Sequence, residues 1–99
     1  MRETMANGVY QVFDNDDEIM LTITALENNT YRAVNKFFDI TAKIIPLDDY
    51  RTSMRCITYK QADKNGHYRK TKAMVDERLN WLNYQLEEHG FIRKANPIN

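Results

Sequence analysis

The stretch from Arg51 to Lys72 contains the residue types in this chain that could do chemistry. Seven basic side chains lie in it against one acid, Asp63, with aromatic rings between them. Cations neutralise phosphates and aromatic rings stack on bases, so this composition is typical of a nucleic-acid contact. Asn65-Gly66, near the middle, favours positive φ and predicts a tight β-hairpin turn. The basic residues are Arg51, Arg55, Lys60, Lys64, Arg69, Lys70 and Lys72, and the aromatic ones are Tyr59, His67 and Tyr68.

The two faces of this basic hairpin, 51–72, give alternative binding surfaces. Strand alternation places Tyr59, Tyr68, Lys70 and Lys72 on one face together with Ile57. The tyrosines could stack on bases there while the lysines contact phosphates. Alternatively, Ile57 and Tyr59 belong to the core, and the polyanion surface is on the other face. The predicted nucleic-acid-binding residues over both alternatives are Arg55, Tyr59, Lys60, Lys64, Tyr68, Arg69, Lys70 and Lys72.

No other group of residues predicts catalysis, a metal site or a cofactor. Asp14-x-Asp16-x-Glu18 begins like a calcium loop, but Ile19 and Ala25 stand where such a loop needs Gly and Glu. Cys56 and His67 lie too far apart on the predicted hairpin ladder to form a nucleophile–base pair. The chain has no CxxC spacing and no glycine-rich phosphate loop. We therefore expect a protein that is not an enzyme.

The bulk composition predicts a single domain, 1–99, with charges of opposite sign in its two halves. Residues 1–50 hold four Lys/Arg and nine Asp/Glu, whereas residues 51–99 hold ten and five. One cysteine excludes an intrachain disulfide, and no apolar run resembles a signal peptide or a membrane span. These features predict a cytoplasmic protein without a membrane partner. The tail, 95–99, is predicted to be flexible.

The pattern of the first sixty residues favours an antiparallel sheet. Strands are predicted at 8–13, at 19–25, where apolar and polar residues alternate, at 38–44 and at 53–60. The last of these is expected to pair with a strand at 67–72 and so to form the basic hairpin. Residues 30–37 fit either a strand or the start of a helix, and that choice stays open. A short edge strand is expected at 91–94.

One helix is predicted from about Ala73 to His89. Val75, Leu79, Leu82 and Leu86 form a continuous apolar stripe, and Gly90 suits the position that follows a helix. Asp76 and Glu77 are expected in its first turn. The fold class is therefore α+β, with an antiparallel sheet of about four to six strands and one C-terminal helix packed on it.

The segment Tyr68-Arg69-Lys70-Thr71-Lys72, which runs into Ala73, resembles the amino-terminal arm-binding domains of phage integrases. That family places a three-stranded sheet before a helix. The resemblance is confined to this part of the chain, and no functional residue is carried over from it.

Two functions follow as hypotheses. The first is a small nucleic-acid-binding regulatory protein that uses the basic hairpin. The second is a stoichiometric protein-binding module, such as an inhibitor, an immunity protein or a phage-type antagonist of a host enzyme. Homo-oligomers are compatible with either. The residues predicted to bind a protein partner are Asp14, Asp16, Asp17 and Glu18 at an acidic tip, and Trp81 and Tyr84 on the helix.

Overall fold

The computed structural model describes residues 2–49, 51–61 and 71–92. In these ranges the chain forms six strands and one helix, in the order β1–β6 and then α1. The sheet is open, every neighbouring pair of strands is antiparallel, and the strand order follows the chain. The elements are β1 (Arg2–Ala6), β2 (Val9–Phe13), β3 (Ile19–Ala25), β4 (Thr30–Asn35), β5 (Phe38–Pro46), β6 (Thr52–Gln61) and α1 (Lys72–Glu88). The predicted fold class is confirmed.

The core lies between α1 and one face of the sheet, which we call the inner face. Trp81 packs edge-on against Phe38 of β5, with ring centroids 5.2 Å apart. His89, just past the C-terminal end of the helix, stacks on Tyr10 of β2, with ring centroids 4.0 Å apart. The helix therefore crosses the strands. The largest fully buried side chains are Ile23, Ile40, Leu82 and Leu86. The opposite face of the sheet, which we call the outer face, points away from α1.

Local sequence explains where α1 begins and ends. The Thr71 side chain accepts a hydrogen bond from the Met74 amide and so caps the first turn. At the other end Gly90 has φ +77°, and the Gly90 and Phe91 amides donate to the carbonyls of Glu87 and Leu86. This pattern is a Schellman motif, which folds the chain back onto the last turn.

Several sequence predictions need correction. Residues 30–35 are a strand, β4, so the helix alternative is wrong there, and β1 was not predicted at all. Because Thr71 starts the helix, Lys72 belongs to α1 rather than to a hairpin strand, and the first helical turn contains no acid. Residues 91–92 are not a strand, since both amides donate to the Leu86 carbonyl. Three predicted features lie outside the described residues. They are the Asn65-Gly66 turn, residues 67–70 of the strand expected at 67–72, and the tail, 95–99.

Over the described part of the chain, no helix is long and apolar enough to cross a membrane.

The stability of the fold should depend on Tyr10 at high pH. Burial, the charge of Glu3 and a hydrogen bond with Glu3 raise the pKa of Tyr10 from 10.0 to about 12. Because the folded pKa is the higher one, the neutral phenol stabilises the fold fully below pH 10, and this contribution disappears as the pH rises through about 12. The difference between the pKa of 10.0 and the folded pKa of about 12 corresponds to about 3 kcal/mol of unfolding free energy. We expect Tyr10→Phe to remove this part of the pH dependence in urea unfolding curves. Parallel pH profiles for the two proteins would contradict the assignment.

Candidate nucleic-acid interface

A β-bulge in β6 decides which of its side chains face outward. Thr41 pairs with Thr58 but Ala42 pairs with Cys56, so Ile57 is an extra residue without a partner on β5. In a regular strand, residues 55 and 60 would face opposite sides of the sheet. The extra residue shifts the alternation by one, so Arg55 and Lys60 both lie on the outer face. On the other side, Cys56 and Tyr59 pair with the buried residues Ala42 and Ile40.

The outer face of β4, β5 and β6 carries mostly positive charge. The register places on it four cations and one carboxylate, that of Asp39. The cations are exposed, and threonine hydroxyls of Thr41 and Thr58 lie between them. Arginine, lysine and threonine side chains are common phosphate contacts. The four cations, which we call the outer-face cations, are Arg32, Lys43, Arg55 and Lys60.

Lys43 and Arg55 stand directly opposite each other on neighbouring strands. Like charges in that position repel and destabilise a sheet. Within the described ranges neither of them has a carboxylate within 4.0 Å, although other cations of the same ranges do. Arg51, for example, forms an ion pair with Asp48 at 2.8 Å. Among the residues that the structure describes, this pair of cations on an exposed face is therefore uncompensated.

Asp39 neutralises part of the outer face. Its carboxylate accepts two hydrogen bonds from the Arg32 guanidinium, at 3.0 and 2.6 Å. The hydrogen bonds from Arg32 lower the pKa of Asp39, burial opposes this effect, and the charges of Arg32 and Lys60 add to it. The carboxylate is therefore ionised at neutral pH. This ion pair leaves Lys60, Lys43 and Arg55 as the cations with the most charge to offer a ligand.

The structure separates the residues predicted to bind nucleic acid. Arg55 and Lys60 are exposed on the outer face. For Lys60 this is the position expected from the alternative that puts Tyr59 in the core and the polyanion surface on the other face. Tyr59 is only 6% exposed and stacks near Phe38, so the alternative in which its ring faces a base is wrong, and the alternative that places it in the core is right for this residue. Tyr59 faces inward because it pairs with the buried Ile40, whereas the bulge leaves Ile57 exposed, so the core alternative is wrong for Ile57. Lys72 lies at the start of α1, 3.9 Å from Asp76. The remaining predicted residues, Lys64, Tyr68, Arg69 and Lys70, lie outside the described part of the chain.

The residues of the alternative, protein-binding surface are also separated. Asp14 organises its own turn, because its side chain accepts hydrogen bonds from the Asp16 and Glu18 amides. Asp17 forms an ion pair with Arg2 at 3.4 Å. The acidic tip is thus a hydrogen-bonded turn. Within the described ranges no group of three or more His, Cys, Asp or Glu side chains could hold a metal ion.

On the helix, the two aromatic candidates differ in exposure. Trp81 is partly buried against Phe38 and contributes to the core. Tyr84 is 59% exposed. Of the pair, only Tyr84 therefore has an exposed ring.

Sequence reasoning missed Arg32 and Lys43. Both precede the basic hairpin in the chain, in the half whose overall charge is negative. A signal was present for Lys43, because it belongs to the polar positions of the alternating segment 38–44. Only the pairing of β5 with β4 and β6 brings these cations beside Arg55 and Lys60.

No protein-family model matches the chain, and neither a curated protein nor a solved structure matches it significantly.

The repulsion between Lys43 and Arg55 predicts that one charge reversal stabilises the protein. Lys43→Glu replaces a like-charge pair with an opposite-charge pair, and such cross-strand pairs contribute about 0.2–1 kcal/mol. We expect the free energy of unfolding in urea to rise by about this amount, and the gain to shrink at high salt. Lys36→Glu is the control. It changes the net charge by the same amount, but Lys36 lies in the β4–β5 turn and not opposite Arg55. Equal effects of the two variants would show that Lys43 and Arg55 do not repel each other.

Proposed function

We propose that this protein binds nucleic acid through the outer face of β4–β6, as a small non-enzymatic regulatory protein. The observation that carries the proposal is the opposed pair Lys43 and Arg55, which has no nearby carboxylate among the described residues. A phosphate placed between two such cations removes their repulsion and accepts hydrogen bonds from both. The repulsion between these two cations lowers the stability of the free protein. A ligand that supplies negative charge between them would explain why the fold keeps the pair.

The surroundings of this pair support a phosphate backbone as the ligand. Lys60 lies on the same face, about 13 Å along the sheet from the row of Lys43, since four residues of β5 separate the two rows at ~3.3 Å each. Cations spread over such a length suit a chain of phosphates better than one small anion. The strand β6 also leads directly into the most basic part of the sequence, with Lys64, Arg69 and Lys70.

Reversing both charges of the pair should weaken binding while leaving the fold intact. In Lys43→Glu/Arg55→Glu the two side chains still repel each other, so stability should change little. Affinity for generic nucleic acid should fall at least about tenfold, because one charge-assisted hydrogen bond is worth about 1.5 kcal/mol or more. The slope of log K against log salt should lose about 0.7 to 0.9 for each phosphate contact removed. Fluorescence anisotropy with labelled single-stranded and duplex oligonucleotides measures both quantities.

The matched control is Arg51→Glu/Lys72→Glu. It changes the net charge by the same amount, but its cations lie beside Asp48 and Asp76. We expect this variant to bind much more tightly than the outer-face variant. Equal losses would mean that only net charge matters and would remove the outer face from the proposal. A third variant changes four cations of the predicted basic hairpin to Glu and measures how much that hairpin contributes to the affinity for nucleic acid. The four are Lys60, Lys64, Arg69 and Lys70.

Removing Asp39, the one carboxylate that the strand residues of β4–β6 bring to this face, should have the opposite effect. Asp39→Asn releases the Arg32 guanidinium for a phosphate, so affinity should rise and the salt slope should steepen by about 0.7 to 0.9. The ion pair is largely exposed, at 51% and 30% for its side chains, so the fold should lose no more than about 1 kcal/mol. An Asp39→Asn protein that binds no more tightly than the wild type would argue that the ligand does not reach Arg32.

A protein-binding module is the second candidate, and the observation that favours it is the exposed ring of Tyr84. Exposed aromatic residues are enriched among the side chains that dominate protein interfaces. If the wild-type protein is not retained on DNA or RNA at low salt, while Tyr84→Ala abolishes capture of a stoichiometric protein partner, this candidate replaces the first.

A further inference from the structure

Phe37 is the most exposed large hydrophobic side chain of the described residues, at 68%. It lies in the turn between β4 and β5. Its backbone is held in place, because the Asn35 side-chain oxygen accepts hydrogen bonds from the amides of Phe37 and Phe38, at 2.8 and 2.9 Å. Phe38, the next residue, is buried against Trp81. The turn thus holds the backbone of two phenylalanines, one with its ring in the core and the other with its ring in water.

The position of Phe37 relates it to the outer-face cations. It precedes Asp39 by two residues, and Asp39 pairs directly with Lys60. Phe37 is the turn residue next to Phe38, the first residue of β5. At ~3.3 Å per residue, the row of Lys60 lies about 3 Å from Phe38 along β5, and the row of Lys43 and Arg55 about 17 Å from it. The turn that carries this exposed ring therefore lies at the Lys60 end of the outer-face cations.

We infer that the ligand of this face is single-stranded, with one unpaired base stacked on Phe37 and its phosphates along Lys60, Lys43 and Arg55. This inference rests on the proposed function and names its substrate class. Surfaces that bind single strands combine a positively charged track with aromatic rings on which bases stack. The bases inside a duplex already stack on each other and cannot offer a free face to Phe37. A duplex would use the cations and leave the ring in water.

The test compares Phe37→Ala with Phe37→Trp on an unstructured oligonucleotide and on a duplex of the same sequence. An oligonucleotide of about twelve residues falls within the usual site size of roughly 4–16. Stacking of one base is worth about 1–3 kcal/mol, so Phe37→Ala should weaken single-strand binding about 5- to 150-fold. The salt slope should stay unchanged, because no phosphate contact is lost. Phe37→Trp should retain the affinity, and duplex binding should not respond to either change.

Leu47→Ala is the control for loss of an exposed apolar side chain. Leu47 is 58% exposed and follows β5 at its other end, away from the β4–β5 turn. We expect it to bind like the wild type. Thermal unfolding followed by circular dichroism verifies that all variants are folded.

The outcomes separate this inference from the proposed function. If Lys43→Glu/Arg55→Glu loses binding but Phe37→Ala binds single strands like the wild type, stacking is overturned and the basic surface stands. Tighter wild-type binding to the duplex than to the single strand would also overturn the single-strand assignment alone. If the wild-type protein binds neither oligonucleotide, both ideas are overturned.

Discussion

The β-bulge at Ile57 is the constraint on which the proposed surface depends. Burial of an unpaired Arg or Lys side chain is costly, and a regular β6 would turn either Arg55 or Lys60 toward the core. The core in turn needs both Cys56 and Tyr59 beside the buried side chains of β5. One inserted residue satisfies both demands at once. The hydrophobic inner face and the cationic outer face are therefore two consequences of the same irregularity.

The core also determines how the β4–β5 turn presents its ring. Phe38 contacts Trp81 of α1, and the Arg78 guanidinium lies over the same ring at 4.5 Å from its centroid. These contacts hold the beginning of β5, and the Asn35 side chain holds the turn before it. The backbone of such a turn needs little ordering when a ligand binds to it, which reduces the entropic cost of binding. The helix on the inner face thus supports the turn that carries Phe37 in the proposed site.

Sequence patterns predicted the parts of this fold in which periodicity is strong. The alternation around Ile23 and Ile40 gave two strands, and the stripe through Leu82 and Leu86 gave the helix. The strand Arg2–Ala6 has no such pattern, because all five of its side chains are exposed. The bulge was not predictable either, since alternation assumes that each residue has one partner. Composition pointed to the basic stretch, but cations far away in the chain join it only through strand pairing.

Net charge is a poor guide to the electrostatics of this molecule. The chain is neutral overall, and its first half is acidic. Yet three of those acids, Asp14, Asp17 and Asp48, stabilise turns or pair with nearby arginines at the ends of strands. Only Asp39 among the strand residues of β4–β6 brings a carboxylate to the outer face. Charges at a protein surface are screened over about 10 Å at 0.1 M salt. An acid at the end of a strand therefore acts mainly on the charges next to it and does little to cancel the outer-face cations. The sign of the electrostatic potential over each face is therefore determined by the strand residues that lie on that face, and not by the net charge of the chain.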